Sequence, residues 1–89
     1  AASDAVGVLV VEDDAVTQKS LCLAIESSPS LKLLAVFDRV TPALEWLEQE
    51  APDVLLTDLG LPDGSGLDVI RACARLRPAA DIMVVTVSS

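Results

Sequence analysis

The chain has 89 residues, 52% of them apolar, and six basic against fourteen acidic side chains leave it a net charge of −8. That length allows one small domain, and with Phe37 and Trp46 as its only aromatic residues the core has to be aliphatic. The charge argues against nucleic acid or an anionic membrane as a direct partner, no apolar run reaches membrane-spanning length, and Cys22 and Cys73 lack ligand spacing and read as free thiols of a reducing, cytoplasmic compartment.

Val6–Val11 is a wholly apolar first strand, and it ends in Glu12-Asp13-Asp14. A helix is expected from about Ala15 to Ser28, with Asp14 placed to cap it and Pro29 to close it. Val16, Leu23 and Ala24 lie on one side of its broad apolar arc, Leu21 and Ile25 on the other. Gln18, Lys19, Cys22 and Glu26 form its polar stripe. So wide an arc suits a helix touching both a sheet and a second helix.

Leu31–Phe37 reads as the second strand, with Lys32 and Asp38 giving it the polar ends of a sheet edge. Thr41-Pro42 opens the next helix, threonine as N-cap and proline in the first turn. Leu44, Leu47 and Ala51 mark its inner side, Glu45, Glu48 and Gln49 its outer side, and Trp46 a half-buried flank. Val54, Leu55 and Leu56 form a third strand buried on both faces, as in a parallel sheet covered by helices. This strand runs out at Asp58 into a loop holding Gly60, Pro62, Gly64 and Gly66. Gly66 to Arg77 is a third helix with Leu67, Ile70 and Ala74 inward and Asp68, Arg71 and Arg75 outward, closed by Pro78. Asp81 to Thr86 is a fourth strand, ending on a hydroxyl. Strand and helix alternate throughout, so the crossovers are right-handed and the sheet parallel: an α/β fold.

In open sheets of this kind ligands bind just beyond the carboxyl ends of the strands, where Asp58 falls. Alone, an aspartate there also suits a turn or a helix cap. Glu12 and Asp13 change the weighing, because neighbouring strands would gather at least three carboxylates. Like charges at that range raise a pKa or require a cation, and a hard divalent ion such as Mg²⁺ is the economical solution.

These residues resemble the receiver domain of bacterial two-component response regulators. The resemblance rests on Glu12-Asp13 after strand one, Asp58 after strand three with Leu61-Pro62 and Gly66 behind it, and Thr86 at the end of strand four. It spans nearly the whole chain. It implies a flavodoxin-like, three-layer doubly wound sheet of order 2-1-3-4, and Asp58 as the acceptor of a phosphoryl group from a sensor histidine kinase. Asp13 and Asp58 would ligate Mg²⁺ directly, with the backbone carbonyl of Gly60 as third protein ligand and Glu12 acting largely through water. Thr86 would bond a phosphoryl oxygen as the switch hydroxyl. Such a domain turns over no external substrate.

Receivers continue through a fifth strand, which ends in a lysine, and two further helices; none of Lys19, Lys32, Arg39, Arg71, Arg75 and Arg77 stands where that lysine should. Residues 1–89 therefore read as an incomplete receiver whose phosphorylation is slow or absent. The alternative is a truncated, non-signalling module for dimerisation or interaction. An open edge along Ile82 to Thr86 and an uncovered Leu21 and Ile25 point to a homodimer. A haloacid-dehalogenase-like phosphatase also places an aspartate after a strand, but Asp58-Leu59-Gly60 lacks the second acid of its Asp-x-Asp motif.

Overall fold

The computed structural model describes residues 5–85. Four parallel strands form the main sheet: β1 (Val6–Val11), β2 (Leu31–Phe37), β3 (Val54–Thr57) and, last in the chain, β6 (Asp81–Val84). Between β3 and β6 lies a two-stranded antiparallel ribbon, β4 (Gly60–Leu61) and β5 (Gly64–Ser65). The helices are α1 (Ala15–Glu26), α2 (Val40–Gln49) and α3 (Gly66–Leu76). The sheet order is β2-β1-β3-β6, as the resemblance implied, with β2 at one edge.

The layers follow from the two-residue period of the strands. Leu9 and Val11 of β1 and Leu55 of β3 point to one face, where they meet Val40, Ala43 and Leu47 of α2 and Val69 and Cys73 of α3. Val8 and Val10 point to the other, against Ile25 of α1, with Leu21, Val54 and Leu56 around them. Strands buried on both faces have no polar positions to spare, which is why β1 is apolar from end to end.

Three helix faces differ from expectation. Helix α1 turns Gln18, Leu21, Cys22 and Ile25 toward the sheet, whereas Val16 and Leu23 stand 76% and 55% exposed. Gln18 tolerates the inner side because its amide donates to the Glu12 carbonyl at 2.7 Å. Leu21 and Ile25, expected bare, are packed against the sheet. In α3 the inner residues are Gly66, Val69 and Cys73, and Leu67 and Ala74 face outward. Gly66 passes close beneath the Asp58 carbonyl, where a side chain would not fit, and Val69 and Cys73 continue the same inner face. Helix α2 starts at Val40 rather than after a Thr41 cap, buries Val40, Ala43 and Leu47, and ends before the exposed Ala51. Its first N–H groups are capped from the distant Asp63. Trp46 is half-buried, as expected.

At the other end of α2, the Arg77 guanidinium crosses from α3 to the last carbonyls. Its Nε donates to Glu50 O at 2.9 Å and to Leu47 O at 3.2 Å. A cation at a helix C-terminus satisfies groups that have no partner within the helix. Replacing Arg77 by alanine is expected to lower the unfolding free energy by about 1.5–3 kcal/mol, the range for hydrogen bonds to charged groups, read from urea midpoints.

Candidate metal centre

The strand register builds the site. In the β1–β3 pairing Val11 lies opposite Thr57, so the two strands finish level. The next residue on each is acidic. Asp58 N–H donates to the Val11 carbonyl at 2.9 Å, and Glu12 N–H to the Phe37 carbonyl at 2.9 Å, carrying the ladders one step past the strands. Glu12, Asp13 and Asp58 each offer a carboxylate oxygen within 4.8 Å of the others.

Their surroundings differ. Glu12 is fully buried; its Oε2 accepts from Asp14 N–H at 3.0 Å, while Oε1 has no hydrogen-bond partner. Burial pushes its carboxyl up from the ordinary range, and the negative charges of Asp58 and Asp13 push the same way against the Asp14 N–H. Asp13 is exposed and Asp58 half-buried. Asp58 Oδ1 accepts from Leu59 N–H at 2.8 Å. Asp14 stands apart as the cap of α1: its Oδ2 takes Thr17 N–H at 2.9 Å and the Thr17 hydroxyl at 2.7 Å, bonds that hold its carboxyl below its usual value.

A divalent cation fits this donor set. Carboxylates are hard oxygen ligands, and Glu12 presents a buried oxygen that nothing in the protein satisfies. Gly60, two residues past Asp58, opens the ribbon at an exposed position with nothing packed over it. Thr86 lies outside the described residues.

Two residues hold the Asp58 backbone: Thr57, which escaped the sequence reading, and Gly66, which was read there as part of the loop. Thr57 is fully buried and its hydroxyl donates to the Asp58 carbonyl at 2.9 Å. Gly66 N–H bonds the Leu59 carbonyl at 2.8 Å, and a Cβ at position 66 would collide with the Asp58 carbonyl oxygen and lie 2.9 Å from Leu59 Cα. A hydroxyl closing an otherwise apolar strand was the available signal for Thr57.

The raised Glu12 pKa means that ionising this group costs the folded state stability once the pH exceeds the unfolded value. At neutral pH, Glu12→Gln is therefore expected to stabilise the metal-free protein by about 1–2 kcal/mol, the scale of a relieved buried polar group. The same variant should lose most of the thermal stabilisation that Mg²⁺ confers on wild type. Melting curves in chelator and in excess Mg²⁺ measure both effects.

The profile of the response regulator receiver domain matches residues 8–89. A protein-glutamate methylesterase/protein-glutamine glutaminase from Treponema pallidum is 37% identical over 84 residues, covering 94% of this chain and 20% of that protein. The chain thus spans about a fifth of the length of the curated relatives of this kind that it matches. Among solved structures, the response regulator domain of Thermotoga maritima CheB superposes with a TM-score of 0.83 at 24% identity, over 92% of this chain and 60% of that one. RcsB from Salmonella enterica serovar Typhimurium, bound to promoter rprA in the presence of phosphomimetic BeF3−, gives 0.82 at 23%, over 96% and 44%. With its level strand ends, its sheet order and this match over nearly its full length, the chain belongs to the response regulator receiver domain family.

Proposed function

We propose that this chain is a phosphoacceptor: Asp58 takes a phosphoryl group from the phosphohistidine of a sensor histidine kinase, at a Mg²⁺ site made by Glu12, Asp13, Asp58 and the Gly60 carbonyl. The observation that carries the reading is the cluster of three carboxylates within 4.8 Å at the ends of β1 and β3. An Asp58 oxygen attacks phosphorus, the P–N bond to the kinase imidazole breaks, and the leaving nitrogen keeps the electron pair. Asp58 Oδ1 is engaged by the Leu59 N–H, so Oδ2 is the oxygen we assign to the attack. Thr57 and Gly66 hold the Asp58 backbone still from either side, so the carboxylate is positioned before the donor arrives. A bound Mg²⁺ supplies positive charge that offsets the carboxylates and the incoming phosphoryl oxygens. Thr86, next after the Val85 whose N–H bonds the Thr57 carbonyl, is assigned as the switch hydroxyl.

This piece is assigned no turnover of an external substrate; methylesterase and glutaminase are names of whole proteins of which it covers about a fifth. A cytoplasmic setting suits its two free thiols, and among the described residues no helix is long and apolar enough to cross a membrane.

Incubation with a small acyl phosphate and Mg²⁺, followed by intact-mass measurement, is expected to add a single phosphoryl group. Chelator and Asp58→Asn should both abolish it. Labelling that persists in Asp58→Asn would overturn the assignment.

A second reading, self-association, is favoured by the outer strand, where Met83 and Val84 are 58% and 47% exposed on β6. Among the described residues no strand pairs with the outer side of β6, and an apolar edge of this kind recruits a partner. Sedimentation equilibrium should then show a dimer that Val84→Lys dissociates, and a wild-type monomer at micromolar concentration rejects this reading.

A further inference from the structure

We propose that Asp63 is a positioning residue for the Asp58 centre: by accepting from the first two N–H groups of α2, its carboxylate holds the Asp58–Gly66 loop in place. The inference rests on the proposed Mg²⁺ site and deepens it.

The loop is secured at both ends. Asp58 N–H bonds the Val11 carbonyl at 2.9 Å, and Gly66 N–H bonds the Leu59 carbonyl at 2.8 Å. Between them lies the ribbon β4–β5, far too short to keep its shape unaided. Leu61 anchors one side of it in the core. At the tip, Asp63 Oδ1 accepts from Val40 N–H at 2.6 Å and Oδ2 from Thr41 N–H at 3.0 Å. Hydrogen bonds to a charged acceptor are the strong ones, and the helix N-terminus adds its own positive field. These N–H groups hold the Asp63 carboxyl below its usual value.

The arrangement binds both parties. Arg39, at the N-cap position of α2, makes no side-chain cap, so the helix takes its cap from Asp63, 23 positions beyond Val40. Gly60, whose carbonyl is assigned to the metal, sits in this ribbon between Asp58 and Asp63. Freeing the tip leaves every metal-binding carboxylate present, but loosens the backbone that presents Gly60 and Asp58.

Helix capping and loop positioning can be separated. In Asp63→Ala with Arg39→Asn, the asparagine caps Thr41 N–H locally, while the loop stays untied. Among the described residues Arg39 pairs with the exposed Asp38, a surface pair whose loss matters little. Mg²⁺ is titrated by backbone amide shifts, and stability is read in chelator. Asp63→Ala is expected to weaken Mg²⁺ binding about tenfold, the low end for groups supporting metal ligands. The double variant should regain stability and keep the weakened binding. In wild type, Mg²⁺ should slow hydrogen exchange at Val40 and Thr41, since coupling between sites is reciprocal. Should Asp63→Ala fail to fold, Asp63→Asn keeps one acceptor oxygen and is expected to show an intermediate loss. Wild-type affinity in Asp63→Ala, or affinity restored together with stability in the double variant, overturns the inference. A wild type with no saturable Mg²⁺ response instead removes the metal site, and this inference with it.

Discussion

Everything at the functional end of this molecule depends on a register: Val11 of β1 lies level with Thr57 of β3. Because the pairing is parallel, both chains leave the sheet at the same end, and the next residue on each is an acid. One residue of slip would send Glu12 or Asp58 to the opposite face, since side chains alternate along a strand. The register is enforced from within. Leu9, Val11 and Leu55 belong under α2 and α3, Val8, Val10, Val54 and Leu56 under α1, and no other alignment buries both sets.

That same constraint creates a liability. Glu12 is driven into the interior with one oxygen unsatisfied, beside two further carboxylates. A fold optimised for stability alone would place an amide or an alkyl group there. The folded state instead carries a carboxyl group whose pKa is pushed up by burial and by the charges of Asp58 and Asp13, a cost that a cation placed beside it would relieve. Destabilisation concentrated at a site is a usual mark of function, because the ligand that relieves it is selected by the same charges.

The backbone around Asp58 is held by small, specific devices rather than by bulk. The Thr57 hydroxyl grips the Asp58 carbonyl from one side and the bare Cα of Gly66 lets α3 approach from the other. Ser65 caps α3 with its own hydroxyl, donated to by Leu67 N–H at 3.1 Å, so helix and loop share one corner. Helix α2 has no comparable local cap and relies on Asp63 across the loop. The loop from Asp58 to Gly66 is therefore also the piece that ties α2 and α3 together, with Arg77 joining their far ends.

The sequence by itself determined the order and type of the main elements, the parallel sheet and the three acids, because strand periodicity, proline stops and carboxylates at strand ends are local signals. The ribbon β4–β5 left no such signal: two residues per strand are too few to show a period. Which face of each helix turns inward was decided only in three dimensions. In α3 Leu67 and Ala74 are apolar by type and so read as inward, yet the buried stripe runs through Gly66, Val69 and Cys73, with Gly66 close beneath the Asp58 carbonyl. In α1 the inward place of Gln18 became possible only once the Glu12 carbonyl was there to receive its amide. Thr41 looked like the natural cap of α2, yet Asp63 displaced it, because a charged acceptor meeting two N–H groups across a folded loop outweighs a neutral hydroxyl close by in sequence. Composition and spacing specify what a segment can do, whereas long-range partners choose among those possibilities.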